Sequence, residues 1–158
     1  MCRVILLIIL LFALHSCRPE ASLTQQERQA ISKAVRQTMH DYYADIRKNG
    51  STAEFKYLDS SADFFWAPPG YSSAISYDSV AAVLKQAAPL FRSIDNQLDT
   101  LRIIPLSREL ATYTARIHST MIDTGGKESV ISLIETGLFI KRRDGWKLLS
   151  GQTAVISR

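Results

Sequence analysis

Two cysteines in 158 residues leave little room for sulfur chemistry, and both stand near the start, at Cys2 and Cys17. A disulfide framework or a cysteine-based metal site inside a folded domain is excluded. Histidine is equally scarce, with His15, His40 and His118 as the whole supply. No two of them have the spacing that puts a pair of imidazoles on one helix face, so a zinc enzyme has no support and no metal or other cofactor is expected. His40, beside Asp41, and the isolated His118 read as structural side chains. A Gly-x-Ser-x-Gly elbow and a Walker A loop are both missing. Seven glycines and five prolines are too few for a low-complexity tract. The charges alternate in sign, sum to +4 and form no run, so nucleic acid is not an expected partner. No repeat occurs at solenoid spacing. The one long apolar run, residues 4–14, is too short to span a bilayer, which takes about 20 residues.

That run reads instead as the core of a secretory signal, with Arg3 as its positive flank. Leu14-His15-Ser16-Cys17 closes it and resembles the bacterial lipobox: an aliphatic residue three before a cysteine and a small one immediately before it. The resemblance implies cleavage before Cys17, acylation of its thiol and new amino group, and anchoring in a lipid bilayer, which two or three chains make stable. Arg18 rather than Asp follows the cysteine, which within that resemblance points to the outer membrane or periplasm of a Gram-negative bacterium. The expected organisation is a signal peptide over 1–16, a lipidated tether over 17–23 and one domain over 24–158. An uncleaved anchor, or a plain signal with Cys17 a bystander, are the alternatives.

Within the domain, the last third sets the architecture. Three long strand patterns are separated by Gly125-Gly126 and Asp144-Gly145, dipeptides that suit the positive φ of tight hairpin turns. Strands of that length predict a strongly bent antiparallel sheet. Upstream, Thr24 to Glu27 forms a capping box, and Ile31, Val35, Met39, Tyr42 or Tyr43 and Ile46 give a helix over about 24–48 that Asn49-Gly50 ends. Ser51 to Glu54 reads as a second capping box, opening a short helix through Leu58. Residues 62–66 predict a short strand stopped by Pro68-Pro69-Gly70, and Asp78 is the expected cap of a third helix that ends near Pro89. Residues 94–106 fit a strand less cleanly. The order predicts an α+β fold, three N-terminal helices on one face of a curved antiparallel sheet.

The segment from Tyr57 to Gly70, the helix ending at Asn49-Gly50, the helix near Asp78 and the closing stretch Asp144 to Leu149 together resemble the nuclear transport factor 2-like superfamily, in its SnoaL-like and ketosteroid isomerase-related branch. The resemblance implies a cone-shaped sheet plugged by helices, a pocket between them, and a homodimer through the outer sheet face. It also implies places for acids and bases, and here the chain departs from the pattern. The carboxylate base that precedes Pro-x-Gly is replaced by Ala67, which cannot take a proton. The pocket histidine of the last strand is replaced by Gln152, which hydrogen-bonds but does not shuttle protons. Tyr43 matches the oxyanion-donating tyrosine, and Glu135 falls near the second acidic position, on a strand face with Leu133 and Phe139. The bland alternatives are a core tyrosine and an outward-facing glutamate. Trp146 reads as a core plug more than a ligand stacker, and Phe64, Phe65, Trp66 and Tyr71 are candidates to line an apolar pocket.

Two lost acid/base positions favour a lipid-anchored module that binds a small, largely apolar molecule without catalysis, with Tyr43, Trp66 and Gln152 as contacts. The rival is an isomerase, cyclase or hydratase-type enzyme using Glu135 or Asp63, which requires one of these carboxylates to face the pocket with a shifted pKa. A third reading makes the outer sheet face an interaction surface on the cell envelope.

Overall fold

A computed structural model describes residues 22–156. The expected signal peptide over 1–16, Cys17 and the expected tether as far as residue 21 lie outside the described residues. The elements run α1 (Gln25–Asn49), a 3-10 helix (Ser51–Lys56), β1 (Phe65–Ala67), α2 (Tyr77–Ala87), a 3-10 turn (Ala88–Leu90), β2 (Phe91–Pro105), β3 (Leu110–Asp123), β4 (Glu128–Arg142) and β5 (Gly145–Val155). The class is α+β. The sheet has the order β1-β5-β4-β3-β2 and is open at both edges. It is mixed rather than wholly antiparallel, because β1 runs parallel to β5, Trp66 opposite Gly151. The long strands number four, since β2 extends over fifteen residues.

The first helix begins as its sequence predicts. Thr24 Oγ1 accepts from the Glu27 amide at 3.2 Å, and the Glu27 carboxylate accepts from the Thr24 amide at 2.8 Å. Its buried stripe is Ile31, Val35, Met39, Tyr42, Tyr43 and Ile46. That stripe packs into the concave side of the sheet, where Ala111, Tyr113, Ala115, Ile117 and Phe139 are buried. The hairpin turns also form at the expected dipeptides, with positive φ at Gly126 and Gly145.

Three local expectations fail, each for a physical reason. The second capping box does not form: Ser51 makes no capping hydrogen bond and Glu54 turns elsewhere, so the segment winds as a 3-10 helix. The second long helix is capped by Ser76, whose hydroxyl takes the Ser79 amide, while Asp78 lies inside its first turn, where a negative charge still suits the dipole. The short strand starts at Phe65, because residues 61–63 turn to bury Phe64.

Of three register shifts in the sheet, two bear on the cavity side. On β2 the register shifts between Leu98 and Thr100, leaving Asp99 without an opposite residue. On β5, Leu138 pairs with Ser150 but Phe139 pairs with Leu148, so Leu149 is the extra residue of a bulge. A bulge bends its strand and reverses the in–out alternation beyond it. Trp146 and Leu148 are therefore buried before the bulge, and Gly151 and Thr153 face inward after it.

The segment before β1 is tied to the sheet by Asp59. This buried carboxylate takes hydrogen bonds from Arg142 Nε at 2.5 Å and Nη2 at 3.1 Å, and from the Ser61 amide at 3.0 Å. Arg142 above all holds its pKa down to about 2 against an ordinary 3.8. A depressed folded-state value means that the stabilisation is complete above the unfolded pKa and disappears as pH falls toward about 2. Because Arg142 is partly in water, screening leaves roughly 1–2 kcal/mol. Urea unfolding should show Asp59→Asn weaker than wild type by about that amount at neutral pH, with the two converging as pH approaches about 2.

Candidate functional site

The concave side of the sheet and the three helices enclose a cavity of about 260 Å³. That volume suits a small molecule, near the lower end of ligand pockets at about 300 Å³. Most of its wall is apolar, including Leu58, Phe64, Ile75, Val83, Ile117 and Leu133. Three polar side chains interrupt that wall at one place, Tyr43 from α1, Glu135 from β4 and Thr153 from β5, with Tyr113 from β3 behind them.

They converge on Glu135, which is buried and faces inward opposite Thr153 and Ala115. Its Oε1 accepts from the hydroxyl of Tyr113 at 2.7 Å and from that of Tyr43 at 3.2 Å. Its Oε2 accepts from Thr153 Oγ1 at 3.2 Å. Trp66 extends the chain by donating its indole N–H to Thr153 at 3.2 Å. Burial pushes the Glu135 pKa up, and the donors from Tyr113, Thr153 and Tyr43 oppose that rise. Burial raises the hydroxyl pKa of Tyr43 and Tyr113 as well, and the Glu135 charge adds to it.

A second carboxylate reaches the same cavity. Glu54, on the 3-10 helix, accepts from the Tyr42 hydroxyl at 2.8 Å through Oε2. Burial raises its pKa from 4.5 to about 7; the Tyr42 hydrogen bond opposes the rise and the nearby Glu135 charge adds to it. No hydrogen bond reaches its Oε1 from the described residues.

The sequence-based candidates divide accordingly. Tyr43, Trp66 and Glu135 stand on the cavity wall. Asp63 does not: it lies exposed in the turn before β1. Gln152 is also misplaced by simple alternation, because the Leu149 bulge turns it to the exposed outer face and brings Thr153 inside. Phe64 lines the cavity with Trp66, whereas Phe65 and Tyr71 are exposed. Trp146 is buried away from the cavity, with the Lys141 ammonium 5.7 Å from its ring centre. Tyr42, Glu54 and Thr153 on the wall, and Tyr113 behind it, are residues that sequence reasoning passed over as site candidates. Alternation along β3 with Ala111 and Ala115 was a signal for Tyr113; the capping motif concealed Glu54 and the bulge concealed Thr153. Among the described residues no cluster of His, Cys, Asp and Glu could hold a metal ion.

Room for Tyr113 is made by Gly137. A methyl group there would sit 2.8 Å from the Tyr113 ring and 2.7 Å from the Ser150 carbonyl oxygen. Gly137→Ala should therefore cost about 1–3 kcal/mol in thermal or urea unfolding and displace the hydroxyl that holds Glu135.

Comparison with known proteins agrees with this architecture. The family described as SnoaL-like domain matches residues 35–156. A candidate scytalone dehydratase from Novosphingobium aromaticivorans superposes with a TM-score of 0.75 at 13% identity, over 85% of this chain and 89% of that one. A nuclear transport factor 2-like superfamily protein from Salmonella enterica gives 0.70 at 13% identity, over 82% and 94%. The hexachlorocyclohexane dehydrochlorinase LinA-type3 from Novosphingobium barchaimii gives 0.67 at 13% identity, over 85% and 92%. At these identities the likeness is one of fold. No curated protein matches the sequence.

Proposed function

The chain belongs to the SnoaL-like domain family, and from that premise we propose that its cavity takes in a small, largely apolar molecule bearing one oxygen function and acts on it by proton transfer. One observation carries the reading: Glu135, buried in an apolar wall, is held by the hydroxyls of Tyr43, Tyr113 and Thr153. A carboxyl in that setting has its pKa raised by burial, while the three hydroxyls oppose the rise. As an acid, or through the tyrosine beside it, it stabilises negative charge growing on a ligand oxygen. The apolar wall removes water and strengthens that interaction.

Binding without catalysis follows from Ala67 and Gln152 only if the cavity has no other acid or base, and it is lined by two carboxyls. Two of the folds it resembles carry names of eliminations, a dehydration and a dehydrochlorination. Both remove a proton and a leaving group from a small molecule, a task that fits this wall and needs no cofactor. Pure binding remains the outcome to test against.

Cyclohexenone in heavy water is a suitable probe, because proton transfer appears as deuterium uptake beside its carbonyl in the NMR spectrum. Wild-type protein should accelerate the exchange, and Glu135→Gln and Tyr43→Phe should each slow it by about 10-fold or more. Exchange no faster than in buffer, with cyclohexenone bound, would leave a binding module.

We further propose that Cys17 carries the lipid and that the outer sheet face pairs with a second copy. Exposed Ile104, Val130 and Ile134 stand on that face. Expression with radiolabelled palmitate should label the wild-type chain in the membrane fraction and leave Cys17→Ser unlabelled.

A further inference from the structure

Glu54 breaks a local rule of its own segment. Ser51 to Glu54 is written as a capping box, in which the glutamate would reach back to a backbone amide and the serine would hold the amide of the fourth residue. Neither happens. The Ser51 hydroxyl is buried without a partner among the described residues, and the segment begins with no side-chain cap. An orphaned buried hydroxyl and a missing cap both cost stability. The glutamate instead points into the apolar cavity, where its own desolvation adds to the cost. Both departures go with one arrangement, a carboxylate on the cavity wall with one oxygen fixed by Tyr42 and the other without a hydrogen bond from the described residues.

We propose that Glu54 is the proton acceptor of this cavity, with Oε1 as the accepting atom and Tyr42 as the positioning residue on Oε2. The ligands it fits are small, mostly apolar carbon acids. The inference rests on the proton-transfer reading and supplies the base that reading leaves unassigned, from a place in the chain unrelated to Ala67. In the step, a ligand C–H bond breaks and an O–H bond forms at Oε1. The electron pair moves toward a neighbouring carbonyl oxygen, or expels a leaving group from the next carbon. Glu54 then returns the proton to a ligand carbon or to water.

The surroundings of Glu54 make it suited to this. The titratable groups that face it are Tyr42 and Tyr43 from α1 and Glu135 from β4, with Tyr113 from β3 behind Glu135. Among the described residues no cation pairs with it. Lys56, on the same turn, is directed to Asp45 and the Tyr57 hydroxyl, and Lys85 of α2 lies over the Phe55 ring. A carboxyl that changes charge at about pH 7 is a far stronger base than one in water, yet half of it is ionised at neutral pH.

Nitrobenzisoxazole tests the assignment directly. Loss of its ring C–H proton to a base forms a nitrile, breaks the N–O bond and releases a coloured cyanophenolate, with no other co-reactant. Binding is followed separately by the absorbance shift of para-nitrophenol. Wild-type protein should open the probe with a rate that rises through an apparent pKa of about 7. Glu54→Gln keeps the oxygen that accepts from Tyr42, so the fold and para-nitrophenol binding should survive within about twofold while the rate falls about 100-fold or more. Tyr42→Phe should retain a base but shift the midpoint of the pH profile upward, since the lost hydrogen bond favours the charged form. A purely structural Glu54 would move none of these. The assignment is overturned if Glu54→Gln keeps the wild-type rate, or if wild type is no faster than that variant while para-nitrophenol binds. If para-nitrophenol does not bind wild-type protein, the cavity reading falls and this assignment falls with it.

Discussion

A carboxyl group buried in an apolar cone is the constraint around which the molecule is arranged. Removing a carboxylate from water costs several kcal/mol even after relaxation, and the protein must return most of that locally. Hydrogen bonds to a charged group give roughly 1.5–3 kcal/mol each, so one donor would be too few and three come close to balance. The three come from three elements: Tyr43 on α1, Tyr113 on β3 and Thr153 on β5. Satisfying Glu135 therefore docks the long helix against the sheet at a set rotation and holds the last strand in register. Gly137 is small for the same reason, as it leaves space for the Tyr113 ring.

The second carboxyl has no such escort. Glu54 has one donor where Glu135 has three, and its pKa reaches about 7. A folded-state value raised above the unfolded one means that the native protein holds a proton the unfolded chain has released. Stability is then undiminished below about pH 4.5 and declines as pH rises toward about 7. The protein thus gives up stability around neutrality to keep this group, beyond what the unused cap and the stranded Ser51 hydroxyl already cost. Asp59 shows the opposite economy: paired with Arg142 outside the cavity, its pKa is lowered to about 2 and it stabilises the fold at every physiological pH.

Patterns that follow directly from local chemistry were legible in the sequence. The stripe from Ile31 to Ile46, the Thr24 capping box and the glycines at the hairpin turns all appear where periodicity and turn chemistry put them. Tyr43 and Glu135 were legible through resemblance and alternation, but their mutual contact, across 92 positions of chain, was not. What failed was anything that depends on one residue more or less. Alternation is an all-or-none code, so the single unpaired Leu149 moves every later side chain of β5 to the other face and exchanges Gln152 for Thr153. The parallel pairing of β1 to β5 was equally hidden, because three residues carry no periodicity of their own. Glu54 was hidden for a different reason: a motif with a sound local explanation masked a use that only the tertiary structure reveals.

That masking bears on how chemistry moves within a fold. The walls of this cavity come from both long helices, the 3-10 helix between them and all five strands. A proton acceptor works wherever its oxygen meets the ligand, and the cavity does not distinguish which element supplied it. Alanine before the prolines therefore leaves two carboxyls, Glu54 and Glu135, on other walls of the cavity. The first helix turns the adjacent pair Tyr42 and Tyr43 toward different acids, Glu54 and Glu135. Both contacts belong to a single helical turn, so any shift of α1 alters the two carboxyls together. Their charges also repel, and ionising one raises the pKa of the other. The two coupled acids differ in what holds them: three hydroxyls fix Glu135, and one fixes Glu54.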